Sequence, residues 1–358
     1  MKPVTIHPFS LVAGFALFGI LGATQIGTGG PRGEIAELRE IFDHMSIEYV
    51  DDGTGQLKKT VRFTGVNVQI VNGLGATNGF PSLPQETDET LVATNGLGNL
   101  IVGYNEERGS DLRTGSHNIV IGQQNNYAGY GGFVGGRFND VSGPYNGVFG
   151  GYYNDATGLH ATVVGGGYND SSGIQSTVSG GFLNTSSGAF STVSGGDDCF
   201  ATGDFGTVSG GGHNIASGSY SWVGGGRSNV ASGRFSCVSG GSDNEASGAR
   251  SSVTGGFLND AVFNYSVVTS GARNMALEFF ATVHGGADSL ATGFGSVVVG
   301  GILQQSIGDF ATIVGGSTNV ADGDYSVVSG GFEREISAQN TSGDTTYDWV
   351  ASDLWMDN

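Results

Sequence analysis

A valine or isoleucine recurs every 15 residues through about half of the chain, and no insertion breaks the register between residues 148 and 328. A fixed short period of this kind indicates one supersecondary unit copied along the sequence, with neighbouring copies stacked into a solenoid. The positions are Val148, Val163, Val178, Val193, Val208, Val223, Val238, Val253, Val268, Val283, Val298, Ile313 and Val328.

The repeat, written from its valine, is Val-x-Gly-Gly-x-x-Asn-x-Ala-Ser-Gly-x-aromatic-Ser-x. The segment from the aromatic residue to the valine alternates with period two, which predicts a strand with the valine, the Ser and one Ala facing inward and the aromatic facing outward. Gly and Asn tolerate positive φ, so their columns are predicted turn positions. These columns are Asn154, Asn169, Asn184, Asn214, Asn229 and Asn244, and Gly158, Gly173, Gly188, Gly203, Gly218 and Gly233.

Composition agrees with this interpretation. Glycine accounts for 67 of 358 residues, and charged residues for 13%, which is about half their usual share in globular proteins. No Gly-X-Y period exists, which excludes collagen. The predicted fold is all-β, a parallel β-roll or β-solenoid of 15-residue coils over residues 119–333, with a C-terminal cap at 334–358.

The segments before the repeat differ from it in character. Residues 1–25 are predicted to be an export signal or an uncleaved anchor, since an apolar stretch follows Lys2. Residues 34–47 are predicted to form a short amphipathic or coiled-coil helix, because its apolar residues are spaced 3, 4 and 3 apart. Residues 60–118 are predicted to be a β transition or cap region. The protein is therefore expected to be exported, at the cell surface or outside the cell.

The net charge of −19 opposes binding to nucleic acids and to anionic lipids, which need basic patches. Contact with a membrane is expected only through the N-terminal segment, if that segment is not cleaved. The two cysteines, Cys199 and Cys237, are expected to be small buried residues, with an interchain disulfide as the alternative.

No constellation for catalysis or cofactor binding is apparent. The six histidines share no spacing suited to a metal or a catalytic base, and Asp170, Asp260 and the other aspartates considered do not align as a carboxylate ladder. We therefore expect no metal, no cofactor and no enzymatic activity. A polysaccharide-acting β-helix and an ice-binding solenoid are the less favoured alternatives, the latter suggested by Thr162, Thr177 and Thr192 before the valines.

Val208–Ser221 and Val238–Ser251 resemble the head repeats of trimeric autotransporter adhesins, the haemagglutinin-type repeats. This resemblance covers residues 119–331. The chain also resembles uncharacterised exported bacterial proteins with similar repeats. The resemblance to the adhesin heads implies left-handed parallel β-rolls with three chains around one axis. The commonest repeat of that family has 14 residues, so the 15-residue repeat is a departure.

The expected function follows from the repeat. One Val, one Ser or Ala and one Ala make a thin core, which favours an oligomer, and the resemblance makes it a homotrimer. We expect a non-enzymatic, adhesin-like protein with a polyvalent face for a glycan or a matrix protein; the alternative is a spacer or coat protein without a ligand. The repeat is irregular around Phe263, Arg273 and Glu278, which are the candidate contact residues, although drift of the repeat without functional consequence is the favoured explanation.

Overall fold

The computed structural model describes residues 31–85, 93–337 and 349–351, and the predicted signal or anchor at 1–25 lies outside them. The chain divides into two compact units after Gln69. Most of the second unit is a β-solenoid of about 16 parallel coils of about 15 residues each, as the repeat predicts.

The first unit contains a helix and an antiparallel hairpin. The helix is Pro31–Asp43, and the two strands of the hairpin are Met45–Asp51 and Leu57–Phe63. Proline suits the first turn of a helix, where its missing N–H has no partner to lose. The predicted helix at 34–47 is therefore wrong at its end: Met45 begins a strand that pairs with Phe63, instead of completing a coiled-coil seam.

Each coil contributes one short strand to each of two parallel sheets. The first sheet contains the valine column and consists of Leu100–Val102, Ile119–Gln123, Phe133–Arg137, Gly147–Val148, Thr162–Val163, Thr177–Val178, Thr192–Val193, Thr207–Val208, Trp222–Val223, Cys237–Val238, Ser252–Val253, Val267–Val268, Thr282–Val283, Val297–Val299, Thr312–Val314, Val327–Ser329 and Trp349–Ala351. The second sheet consists of Asn126–Tyr127, Asp140–Val141, Asp155–Ala156, Asp170–Ser171, Thr185–Ser186, Phe200–Ala201, Ile215–Ala216, Val230–Ala231, Glu245–Ala246, Asp260–Ala261, Met275–Ala276, Leu290–Ala291, Gln305–Ser306, Val320–Ala321 and Glu335–Ile336.

Coil length varies only at the two ends of the solenoid. Ile119 pairs with Phe133, and Phe133 with Gly147, so the coils there have 14 residues; from Gly147 onward the partners are 15 apart. At the other end the pairing continues beyond residue 333, with Glu335–Ile336 beside Val320–Ala321 and Trp349 beside Val327. The described parts of the predicted cap therefore extend the sheets.

The valine column forms one continuous inward ladder, as predicted. Each of its members from Val148 to Val328 is fully buried, and the alanine column of the second sheet, such as Ala201 and Ala216, is buried with it. The small Ser or Ala two residues before each valine, such as Ser236, also faces inward. The interior is therefore narrow, and roughly half of its columns are polar.

The asparagine column lies inside the coils, which corrects its predicted role as a left-handed turn position. Asn229 donates through Nδ2 to the carbonyl oxygens of Gly225 (2.8 Å) and Gly241 (3.0 Å), and its Oδ1 accepts the backbone N–H of Asn244 (3.1 Å). Asn154, Asn169, Asn184, Asn244, Asn259 and Asn274 repeat this arrangement. Each buried carboxamide thus hydrogen-bonds its own coil and the next one, which satisfies polar groups that would be costly to bury alone.

Within the repeat, residues other than glycine adopt positive φ at two columns. One is the residue before each asparagine, and the other is the aromatic column, where Phe205 has φ of 58° and Tyr220 has φ of 60°. The aromatic residues therefore lie in a turn and not on a strand, which is a second correction. We call the segment from Thr202 to Gly206 and its equivalents the aromatic turn, and the Gly-Gly-x-x-Asn segment the double-glycine turn.

The turn glycine of the aromatic turn is required for a different reason from the one predicted. Gly203 and its equivalents do not have positive φ; a Cβ added at Gly203 would lie 2.3 Å from the carbonyl oxygen of Gly218 in the next coil. The close approach of stacked backbones, and not the turn conformation, selects glycine at this column.

The hydroxyl of a buried serine does not always have a hydrogen-bond partner within the solenoid. Ser176 and Ser171 share a hydrogen bond of 2.7 Å between their hydroxyls. Where the alanine column holds Ala instead, as at Ala231, the hydroxyl of the following Ser236 is buried and has no hydrogen-bond partner among the described residues. The two polar columns of the interior therefore contribute differently to stability.

We predict that Asn229→Ala destabilises the fold by about 2 kcal/mol or more, because it leaves the buried Asn244 N–H without its acceptor and removes a donor from the Gly225 carbonyl, whereas the Gly241 carbonyl keeps the Arg227 N–H. Ser236→Ala is the matched control, and it is expected to be neutral or stabilising by up to about 1 kcal/mol, since its hydroxyl is desolvated without a bond. Urea unfolding of both variants measures the difference. Equal losses for the two variants would contradict the role of the asparagine ladder.

Candidate functional site

The three candidate contact residues do not form one site. Phe263 and Glu278 occupy the turn-glycine column of the aromatic turn in successive coils, whereas Arg273 lies in the double-glycine turn. Arg273 forms a bidentate pair with Asp288, with Nε–Oδ1 at 2.6 Å and a terminal guanidinium nitrogen at 2.7 Å from Oδ2. The irregular coils therefore carry two separate surface features.

The pairing register continues through these irregular coils. Ser252 pairs with Val267 and Val267 with Thr282 in the first sheet, while Asp260 pairs with Met275 in the second. The departures from the repeat predict that the coils between Asp260 and Phe280 either bulge or carry a different surface, and the unbroken pairing shows that they do not bulge. The backbone bonds between coils keep their spacing while the turn residues change.

An almost continuous row of aromatic rings lines the aromatic turns. The rings of Phe190, Phe205 and Tyr220 stack at centroid distances of 4.8 and 4.6 Å, and Phe235 follows at 4.9 Å. Arg250 takes the next place, 5.5 Å from the Phe235 centroid. The row then continues through Tyr265, Phe280, Phe294, Phe310 and Tyr325. Each of these rings remains 37–49% exposed at its outer edge.

A groove of about 400 Å³ lies on the outer surface of the first 15-residue coils. The stacked rings of Phe138, Tyr153 and Tyr168 form one wall, with centroids 4.7 and 4.9 Å apart. Arg108 and Ser110, from the segment before the regular coils, also line the groove, together with Asp140 and Asp155. We call this concavity the tyrosine groove.

A row of carboxylates runs beside the tyrosine groove. Asp140, Asp155 and Asp170 are backbone partners in successive strands of the second sheet, so their side chains project from the same column. The aspartates considered from the sequence include Asp170 but neither Asp140 nor Asp155, so this ladder was not predicted. Arg108 bonds both carboxylate oxygens of Asp140, the longer bond being 2.6 Å, and the Phe138 carbonyl at 2.9 Å.

The pKa of Asp155, the middle member of the carboxylate row, is shifted by its surroundings. Burial raises the pKa of Asp155 to about 6, and the neighbouring charges of Asp140 and Asp170 add to the effect. Burial also raises the pKa of Asp170, although a hydrogen bond from Ser172 partly offsets it. A partly desolvated carboxyl with a perturbed pKa beside a groove is a common property of functional sites.

Other surfaces have less concentrated chemistry. The threonine column is in register from Thr162 to Thr207 and is then interrupted by Trp222 and Cys237. Cys199 is buried in the asparagine column, as expected, whereas Cys237 is half-buried, and the two are not bonded to each other. Within residues 31–85, 93–337 and 349–351, no three His, Cys, Asp or Glu side chains are placed to hold a metal ion.

Comparisons add no family to this description. No protein-family model and no curated protein matches the chain. In the described part of the chain, no helix combines the length and the apolar character needed to cross a bilayer.

The carboxylate row predicts a pH-dependent stability. Because the folded state raises the pKa of Asp155 above the ordinary 3.8, the stability that its protonation provides is complete below pH about 4 and is lost as the pH rises through about 6. Asp155→Asn should remove this dependence and stabilise the protein at pH 7 by about 1 kcal/mol, a figure reduced for partial solvation of the carboxylate.

Asp288→Asn is the control with the opposite sign, because Arg273 lowers the pKa of Asp288. That variant should lose stability slightly at pH 7. Urea unfolding at pH values from 4 to 7 distinguishes the two. An Asp155→Asn variant with the same pH dependence as the unmodified protein would contradict the assignment.

Proposed function

We propose that this chain is an exported, non-enzymatic, adhesin-like protein that acts as a homotrimer and presents a repetitive, polyvalent face to a glycan or a matrix protein. The observation that carries the proposal is the row of half-exposed aromatic rings along the aromatic turns. Large apolar rows of this kind on a soluble protein mark interaction surfaces.

Homotrimer formation follows from the composition of the interior. The inward columns consist of Val, Ala, Ser and Asn, which bury little apolar area per coil. The aromatic rings stack along the coil axis, but their outer edges remain in solvent. Packing of several solenoids along these edges would bury that apolar area, and the resemblance to trimeric autotransporter heads favours three chains.

Polyvalent binding follows from repetition. Register between coils places equivalent side chains in rows, and three chains multiply each row. Weak contacts repeated in this way give a much higher overall affinity than one contact alone. The surfaces outside the aromatic row, including the tyrosine groove and the double-glycine turns, are available for such contacts in a trimer packed through its aromatic edges.

A spacer or coat protein without its own ligand is the second candidate. The observation in its favour is the regularity of the coils, since the asparagine ladder and the valine ladder pass through the irregular turns unchanged. A stiff rod of this kind suits a structural role. Binding assays separate the two candidates.

Light scattering of residues 26–358 should report three chains. The double variant Phe205→Arg with Phe310→Arg should dissociate the trimer, because it places like charges at the proposed contact. The single chain should still fold, since Arg250 already occupies this column between aromatic neighbours. Leu258→Asp is the control on the double-glycine turn, where Asp243 and Asp288 hold the equivalent position. A stable monomer of the unmodified protein would refute the proposed assembly.

An array of glycans and matrix proteins, probed with the purified oligomer, should give selective binding. If the irregular coils make the contact, the double variant Phe263→Gly with Glu278→Gly, or the single variant Arg273→Ala, should abolish binding. Unchanged binding in both variants would show that these residues are sequence drift without functional consequence. Silence across the array would favour the spacer. Hydrolysis of any polysaccharide would contradict a non-enzymatic role.

A further inference from the structure

We infer that the tyrosine groove is a binding site for a neutral saccharide, and that Tyr153, Asp155 and Arg108 are its recognition residues. This inference rests on the proposed function and assigns its ligand class and its site. The groove volume of about 400 Å³ falls within the range of small-molecule sites, which combine an apolar wall with a few oriented polar groups.

The groove contains polar groups that the protein itself leaves free. Among the described residues, the hydroxyls of Tyr153 and Ser110 and the carboxylate of Asp155 have no hydrogen-bond partner. Arg108, by contrast, is held in place by Asp140 and by the Phe138 carbonyl, and its side chain is only 14% exposed. The guanidinium is therefore fixed before a ligand arrives.

The groups in the groove favour a neutral polyhydroxyl ligand over an anion. An anion would be repelled by Asp155 and by the net charge of −19, and the Arg108 guanidinium, which could offset this repulsion, is already paired with Asp140. A sugar hydroxyl both donates and accepts hydrogen bonds, so it can donate to Asp155 and accept from Arg108 or Tyr153. The tyrosine wall supplies apolar contact for the C–H groups of a pyranose ring.

A second cavity beside the carboxylate row extends the site. This cavity, of about 210 Å³, adjoins the first at Asp140 and Asp155, and Asn126, Ser142 and Thr157 line it. A saccharide of more than one unit would therefore meet amide and hydroxyl groups beyond Asp155. The tyrosine groove lies on the double-glycine side of the first 15-residue coils, and the second cavity extends from it to Ser142 and Thr157, the first residues of their aromatic turns.

The test uses the full oligomer on an array of neutral, amino and acidic saccharides, followed by calorimetric titration with the best neutral oligosaccharide. Asp155→Asn and Tyr153→Leu should each weaken binding about tenfold or more, since the first replaces a charged acceptor oxygen with an N–H donor and the second removes a hydroxyl. Both variants should fold, because Leu183 and Leu258 occupy the Tyr153 column in other coils and Asn is isosteric with Asp. Asp260→Asn is the matched control: Asp260 shares the Asp155 column and a raised pKa but lies far outside the groove.

Loss of binding in the two groove variants with retention in Asp260→Asn supports the site. Saccharide binding that both groove variants retain overturns the site but leaves the adhesive function standing. Silence across the saccharide array overturns the site, and the matrix-protein array then decides whether the adhesive function stands. Binding confined to amino or acidic saccharides overturns the neutral ligand class, and release of new reducing ends from the oligosaccharide overturns a purely binding role.

Discussion

The fold depends on a column of buried carboxamides that links each coil to the next. A side chain at this position must offer two N–H donors and one carbonyl acceptor at a fixed reach, and asparagine does so with one methylene group. The role is visible where the column changes. Gln304 still accepts from the Asn319 N–H at 3.2 Å, whereas Cys199 offers only weak sulfur contacts of 3.6–3.9 Å to neighbouring carbonyls. Valine packing fills the interior, but the carboxamides fix the register between successive coils.

Fixed register has a direct consequence for the outer surface. Residues 15 apart are stacked about 4.8 Å from one another, so any outward position becomes a row. Stacked rings at Phe205 and Tyr220 make one edge apolar, while Asp155 and Asp170 make one face acidic, and the charge of Asp170 adds to the cost of ionising Asp155. The proposed assembly and the proposed saccharide site use different rows, so one solenoid can support both.

Sequence periodicity predicts the solenoid, the valine ladder and the small inward residues, because burial repeats with the coil. It does not distinguish an asparagine that turns the chain from one that bonds inside it, since both keep the same spacing. The aromatic turn is missed for a related reason: Phe205 and its neighbours adopt φ near 58°, a conformation that bulky residues rarely adopt. Stacking between coils and close backbone packing override that local preference.

The candidate site was only partly predictable. The 15-residue spacing of Asp140, Asp155 and Asp170 is a signal in the sequence, because residues one coil length apart occupy the same column of the solenoid. Arg108 is different, because 19 residues separate the paired positions Leu100 and Ile119, and no period places that segment. Its position follows from tertiary bonds to Asp140 and Phe138.

Native-state hydrogen exchange along the asparagine column tests the ladder most directly. Most of these N–H groups donate to the carboxamide of the preceding coil, so they should exchange only through global unfolding. The Asn214 N–H follows Cys199 and faces its sulfur instead of a carboxamide, so it should exchange faster than that of Asn229. Fast exchange throughout the column, or equal protection at these two positions, would contradict the central role of the ladder.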